Sequence, residues 1–473
     1  MISRTRWISA AFILATAFSL PLLRSKADPS RGQSPDSQFQ KAVSDYNSGR
    51  YQAAEQALEK LAQRTPASFE VEELLGLVYS AESKNHEAYL HFEKAVRLRP
   101  QSAAARANLA VGLARLGKNA LAEAEFKRAN QAEPGNFSAN HNFGEFYARL
   151  GRVKDAIPYL RRAQLAQPSS SGNGYDLALA YTQVGMWADA RKQIRELLKL
   201  RDAAELHGLM GEVEEKSGNY LAAANEFQRA AQMEPSEPNI FYWGSELLLH
   251  QTLNPAIEVF SEGVKRYPKS SRLSVGLGLA LYWSGKYDDA VKALVSATDL
   301  SPSDPRAYYF LSKAYQHSHS QADQVIERFQ RFAHLCPQDS RAVYYYAMSL
   351  WKGKQTTASG PFLARVESLL NRAVQLDPSF AQAHLELGNL QSQQHKYARA
   401  VPEYQQAIKL DAKLVDAYYR LGQAYVHLGR ADLAKKEFQI HKQLYQQHLA
   451  KWDNEQQDIR HFVYKRQADR NGP

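Results

Sequence analysis

Small residues recur along this chain at a spacing of about 34: Ala42, Gly76, Ala110, Gly144, Ala178, Gly211, Gly244, Gly278, Ser312, Ala347, Gly388 and Gly422. Most steps keep that spacing closely, and the one long step, about 41, separates Ala347 from Gly388. Other positions keep the same register. A second small residue follows at Ala54, Ala88, Ala122, Ala156, Ala190, Ala223, Ala256, Ala290, Ala400 and Ala434, and a bulky one a turn later at Leu58, Phe92, Phe126, Leu160, Ile194, Phe227, Phe260, Leu294, Phe329, Leu370, Tyr404 and Phe438. Proline closes the unit at Pro66, Pro100, Pro134, Pro168, Pro235, Pro268, Pro302, Pro337 and Pro378, where it ends one helical stretch and starts the next.

This pattern has a simple physical reading. Two helices approach closely only where a side chain is missing. Each period is then a helix, a Gly-led turn and a second helix, as in "FGEFYARLGRVKDAIPYLRRAQLAQP" from Phe143. Gly144 and Ala156 are expected to form a dent inside one hairpin, with Leu160 and Tyr147 filling the space between neighbouring hairpins. A lone hairpin leaves an apolar face open. Stacking covers it, so units stabilise their neighbours.

The spacing of about 34, the small residue in the first helix, the aromatic residue of "FGEFY", the Ala opening the second helix and the closing proline together resemble tetratricopeptide repeats. The resemblance covers about twelve units from Ser37 to near His448. It implies an all-α fold: a solenoid of helix-turn-helix units coiled into a right-handed superhelix, with a concave groove lined by the first helices. It also implies a scaffold that binds proteins or peptides rather than an enzyme. The expected organisation is a signal segment at 1–27, a linker at 28–36, units one to five at 37–203, units six to twelve at 204–448 with an insert at 353–362, and a C-terminal helical extension at 449–473. That extension carries Tyr445, Leu449, Trp452, Ile459, Phe462 and Val463, a stripe suited to capping the last open face, with a dimer contact as the alternative. Several units depart from the pattern. The fifth ends without proline near Arg201, the ninth has "QHSHSQADQ" at its turn, and the eleventh has Ala412 where proline is expected.

The N-terminus reads differently from the repeats. A basic start is followed by about 17 apolar residues and by "RSKA", the layout of a secretory signal peptide cleaved after Ala27. An uncleaved anchor is the alternative, but spanning a bilayer takes roughly 20 residues. The expectation is export to a periplasmic or extracellular space, with membrane contact only through this segment. Removing it lowers the formal charge of +10 to about +6, dispersed along the chain, which argues against a nucleic-acid partner. Cys336 is the sole cysteine, so no intrachain disulfide forms; it reads as a small buried apolar filler.

Groove-facing residues are expected three before, and one, four and five after, each first-helix small residue. In units three, four and six these are small or polar, as with His141, Glu145 and Arg149. Units seven to ten are richer in aromatic residues, and the candidate partner-binding residues are Phe241, Tyr282, Trp283, Arg306, Tyr309, Lys313, Tyr344, Met348 and Trp351. Trp and Tyr are common at binding hot spots, though tight curvature could equally bury them as core. Asn108 and Asn142 stand one step off the stripe, so the carboxylate clamp known in the family is not carried over. No phosphate loop, nucleophile elbow or HExxH helix is present, and His317 with His319 makes a weak metal motif that reads better as a solvated turn. No catalytic residue, metal or cofactor is assigned. Three readings remain: a scaffold for a partner protein or extended peptide, a module stacking envelope glycan on the aromatic wall, and a hydrolase using groove carboxylates such as Glu212 and Glu215.

Overall fold

The computed structural model describes residues 35–318, 320–353 and 360–449. The signal segment, the linker up to residue 34, most of the insert of unit ten, His319 and the chain beyond Leu449 lie outside the described residues. The described residues form twenty-four α-helices and no strand. They divide into two compact units, one ending at Ala223 and the other beginning at Ala224.

In the first unit the helices pair as α1 (Pro35–Asn47) with α2 (Tyr51–Arg64), α3 (Phe69–Ala81) with α4 (Asn85–Leu98), α5 (Ala103–Arg115) with α6 (Asn119–Ala132), α7 (Phe137–Arg149) with α8 (Val153–Ala166), and α9 (Ser171–Gln183) with α10 (Trp187–Leu200). Helix α11 (Ala204–Lys216) follows, and α12 (Tyr220–Met233) carries the division into the second unit. In the second unit α13 (Glu237–Leu249) pairs with α14 (Leu253–Arg266), α15 (Ser271–Trp283) with α16 (Tyr287–Leu300), α19 (Ser340–Gly353) with α20 (Gly360–Leu376), α21 (Ala381–Gln393) with α22 (Tyr397–Leu410), and α23 (Val415–His427) with α24 (Ala431–Leu449). Between them α17 (Pro305–His317) and α18 (Ala322–Leu335) form the ninth hairpin.

Within each unit a hairpin also packs on the next, second helix to first helix, and the first helices touch one another directly: α5 on α7 and α7 on α9 in one unit, and α13 on α15, α15 on α17 and α17 on α19 in the other. First helices are therefore enclosed on most sides. All of Val71 to Ser80 in α3 is buried, whereas its partner α4 buries only Ala88, Phe92 and Ala95.

The small residues act as the spacing requires. A Cβ on Gly76 would lie 2.5 Å from the Phe92 ring, and one on Gly144 would lie 2.6 Å from Leu160 Cγ. Gly278 faces Leu294, Gly388 faces Tyr404 and Gly422 faces Phe438 in the same way. This corrects one expectation. Leu160 does not merely fill the space between hairpins; it plugs the dent of its own hairpin. The larger rings do both. Phe260 fills Gly244 within its hairpin and also presses on Gly276 in the next one.

The turns inside the hairpins need one residue in the left-handed region, because the helix ends on a 6→1 hydrogen bond such as Arg152 N–H to Tyr147 O at 2.9 Å. Gly151 supplies it with φ of +75°. Ser83, Gln251 and His395 do the same without glycine, whereas the ninth turn departs from this geometry: Ser318 leaves the helix extended, and Gln321 at φ 60° stands at the cap of the next one. The turns between hairpins carry a signal the prolines masked. Two residues after the proline, Ser68, Ser102, Asn136, Ser170, Ser270 and Asp304 each accept a backbone N–H with the side chain and so cap the next first helix. Near Arg201, where proline is missing, Ala203 occupies the cap position with no side-chain bond, and Asp202 Oδ1 instead sits 2.6 Å from His207 Nε2. Cys336 is free and half-buried against the core of its unit, less enclosed than the small buried filler expected.

Candidate functional site

The structure sorts the candidate residues of the second unit into two groups. Phe241, Tyr344 and Trp351 are buried. The Phe241 ring packs 6.3 Å from Phe260 and takes the Arg272 guanidinium at 4.6 Å. Tyr344 lies 5.0 Å from Phe380, and burial pushes its hydroxyl pKa up. Trp351 Nε1 donates to Gln393 Oε1 at 2.9 Å. Arg306 does not extend the stripe either; its guanidinium is held at 2.8 Å by Asp304, the cap of its own helix.

The second group stays half-exposed: Tyr282 and Trp283 at the end of α15, Tyr309 and Lys313 on α17, and Met348 on α19. Tyr282 and Trp283 meet edge to face at 6.2 Å, and Tyr282 reaches α17 through His317 at 6.3 Å. Lys313 Nζ lies 5.6 Å over the Tyr309 ring. These residues stand on three first helices in contact, so large rings and one cation share a partly wet strip. Lys352 does not join it. Its ammonium donates to the Tyr315 and Gln316 carbonyls that end α17, a favourable place for a positive charge.

The first unit holds a second arrangement, which the offset rule registered only as small or polar lining. Its first helices bury polar groups beside their rings. Asn108 is fully buried and donates from Nδ2 to Glu73 Oε1 at 2.6 Å. Arg115 donates to the Ser80 carbonyl at 2.9 Å and to the Ser80 hydroxyl. His141 Nδ1 lies 3.1 Å from Asn173 Oδ1, and burial lowers its pKa. Glu145 is fully buried, and neither carboxylate oxygen has a hydrogen-bond partner among the described residues.

Three carboxyls here titrate far above their ordinary range. Burial pushes Glu73 up to about 7. Burial, then the charge of Asp176, pushes Glu145 up to about 8, against the opposing charges of Arg149 and Arg115. Burial alone pushes Asp176 up to about 7. The signal for this seam was within reach. Residues two before and one after the small residue are three apart and share a helical stripe, so Asn108 and Asp176 belong with Glu145.

Descriptions of the tetratricopeptide repeat match the chain at 39–103, 74–137, 110–171 and 175–251, and again at 416–447; a related TPR repeat description matches 278–317 and 392–429. Together with the successive hairpins and their small-residue contacts, this decides the family. The chain is a tetratricopeptide repeat protein.

Curated relatives match only in part. Anaphase-promoting complex subunit 3 of Schizosaccharomyces pombe is 36% identical over 70 residues, which is 15% of this chain and 10% of that one. The Protein O-mannosyl-transferase TMTC3 of Mus musculus is 23% identical over 183 residues, 36% of this chain and 19% of that one. The chain thus spans a fifth or less of these relatives' length. Among solved structures, PilW, a type IV pilus biogenesis factor, is 24% identical, covering 43% of this chain and 96% of that one with a TM-score of 0.39. YrrB, described as a TPR protein with an unusual peptide-binding site, is 18% identical, covering 39% and 96% with a TM-score of 0.33. The APC/C hetero-tetramer Cut9-Hcn1 is 14% identical, covering 90% and 95% with a TM-score of 0.38. These superpositions are loose, and no binding property passes from them to this chain.

Proposed function

We propose that this repeat array is an exported, non-enzymatic scaffold that holds an extended peptide or partner protein along the first helices of its second unit. The observation that supports this most is the half-exposed strip of Tyr282, Trp283, Tyr309, Lys313 and Met348 on three adjoining helices whose other residues are largely buried. Rings that are half wet lose little on gaining a partner and shed the remaining water when they do. A lysine beside them adds a donor for a backbone carbonyl or an acidic side chain.

The test is retention from an envelope extract by the wild-type protein and by Trp283→Ala. Truncating a hot-spot tryptophan is expected to weaken capture of a protein partner by about tenfold or more, with the melting transition nearly unchanged. Loss of retention on polysaccharide, with protein capture intact, favours the glycan-stacking reading instead. Unchanged capture of both kinds removes the aromatic strip from consideration.

Export rests on the pattern of Met1 to Ala27. The mature protein is expected to begin at Asp28, measured by intact mass and N-terminal sequencing of material recovered outside the cytoplasm. A chain that keeps Met1 and stays with the membrane fraction supports the anchored alternative.

A further inference from the structure

The fully buried Glu145 carboxyl has no hydrogen-bond donor on either oxygen among the described residues. A buried acceptor left in that state is costly. The fold does not use it, although suitable groups surround it. Arg115 on α5 donates to Ser80. Arg149, one turn further along α7, acts on Glu145 through charge and puts no nitrogen within hydrogen-bond distance of it. His141, one turn back on α7, lies against Asn173. From the neighbouring helix α9 the one group that adds to the burial effect on Glu145 is a second carboxyl, Asp176, which is itself half-buried.

We infer that the Glu145–Asp176 pair receives a basic side chain, lysine or arginine, from the segment this scaffold binds. This rests on the reading of the chain as a peptide-holding scaffold and assigns the first unit a specificity site of its own. The chemistry selects among side chains. An aliphatic side chain leaves both Glu145 oxygens orphaned. A carboxylate adds a third acidic group to two. An ammonium or guanidinium gives each carboxyl a charged donor, and a charge-assisted bond in a buried place is among the stronger polar contacts.

Binding also carries a proton signature. In the free protein the pair holds protons near neutral pH, since Glu145 is raised to about 8 and Asp176 to about 7. A bound cation favours the ionised forms, so complex formation releases protons. Affinity therefore rises with pH up to about 8, close to tenfold per pH unit for each of the two carboxyls that is still protonated. His141, its pKa lowered by burial, is neutral across most of this range.

The experiment uses the full mature chain and degenerate nonapeptide pools, each fixed at its central residue as lysine, arginine, norleucine or glutamate. Enrichment of each pool is read at pH 6 and pH 8. The lysine and arginine pools are expected to be enriched at least fivefold over norleucine at pH 8, and less at pH 6. Glu145→Gln and Asp176→Asn are expected to abolish that preference. Asp176→Asn, at a half-buried position, guards against a folding defect in the fully buried variant, and circular dichroism checks both. Equal enrichment of norleucine and lysine, or a lysine preference that survives both substitutions, overturns the inference. No enrichment of any pool also overturns it. If Trp283→Ala still abolishes capture of a partner in that case, the scaffold reading stands without it.

Discussion

Phe260→Ala is expected to lower the stability of the second unit by about 3–5 kcal/mol, the usual cost of truncating a fully buried phenylalanine. The ring is entirely enclosed. It stands between two glycines, with a Cβ on Gly244 coming within 2.8 Å of its Cζ and one on Gly276 overlapping its edge. Neither glycine can move in to fill the void, because both belong to helices fixed by other contacts, so the cavity stays open. Gly276→Ala alone is also expected to destabilise, by about 1–3 kcal/mol, through overpacking. In the Phe260→Ala background the same change meets empty space. The double variant should therefore lose clearly less than the two single losses added together, a coupling of about 1 kcal/mol or more. Hydrogen exchange is the suitable measurement, because stacked repeats open locally and a single melting temperature averages over them. Protection should fall in α13, α14 and α15 and spread to their neighbours, while α3 to α9 in the first unit keep theirs. A uniform loss in both units would show that stability is not passed between adjacent hairpins as the packing requires.

The first unit should weaken as pH rises from 5 to 8, by about 1.4 kcal/mol per pH unit for each raised carboxyl that titrates, although most proteins gain or hold stability over that range. The sign follows from proton counting. Folded Glu73, Glu145 and Asp176 titrate at about 7, about 8 and about 7, whereas unfolded carboxyls titrate near 4. Between those limits the folded chain binds more protons than the unfolded one. Their stabilising protonation is complete below about pH 4 and is lost as pH passes through 7 to 8. Two carboxylates in the same unit run the other way, since Glu123 beside Lys127 and Glu214 beside Arg191 are held below the ordinary range; both are ionised above pH 5 in the folded and unfolded chain alike and add little to the slope there. Urea unfolding at pH 5 and pH 8 measures the slope. Glu145→Gln should flatten it, leaving the variant more stable than wild type at pH 8 by about 3–4 kcal/mol and close to it at pH 5. An unchanged slope would mean that Glu145 is already ionised in the folded chain.

The hairpins and their order were legible because close helix contact demands a small residue, and a demand repeated every period leaves a written trace. Gly76, Gly144, Gly244, Gly278, Gly388 and Gly422 fell where the spacing put them, and each meets the bulky residue one helix later. The caps were less legible. Ser102 and Asn136 sit beside prolines that already explained the break, so their own role went unseen until the hydrogen bonds to Ala105 and Ala139 were visible. The candidate site divided along a line no sequence rule draws. Trp283 and Trp351 occupy almost the same place in their repeats, yet Trp351 is buried with Gln393 on its indole while Trp283 remains half-exposed. What separates them is the neighbouring residue from another hairpin, and periodicity carries no information about that. Glu145 was missed for a related reason. A glutamate on a first helix reads as solvated lining until the packing of α5, α7 and α9 removes the water from it.

The seating of Phe260 on two glycines at once has a consequence for how such a chain can change over generations. A wedge shared by consecutive hairpins ties three positions into one unit of inheritance: the ring, the notch behind it and the notch ahead. A duplication or loss cut anywhere but a whole period would leave a ring facing a side chain, or a notch facing nothing. Drift at any one of the three should then be followed by drift at the other two, so descendants of this gene ought to vary in linked trios and to lengthen or shorten by entire periods.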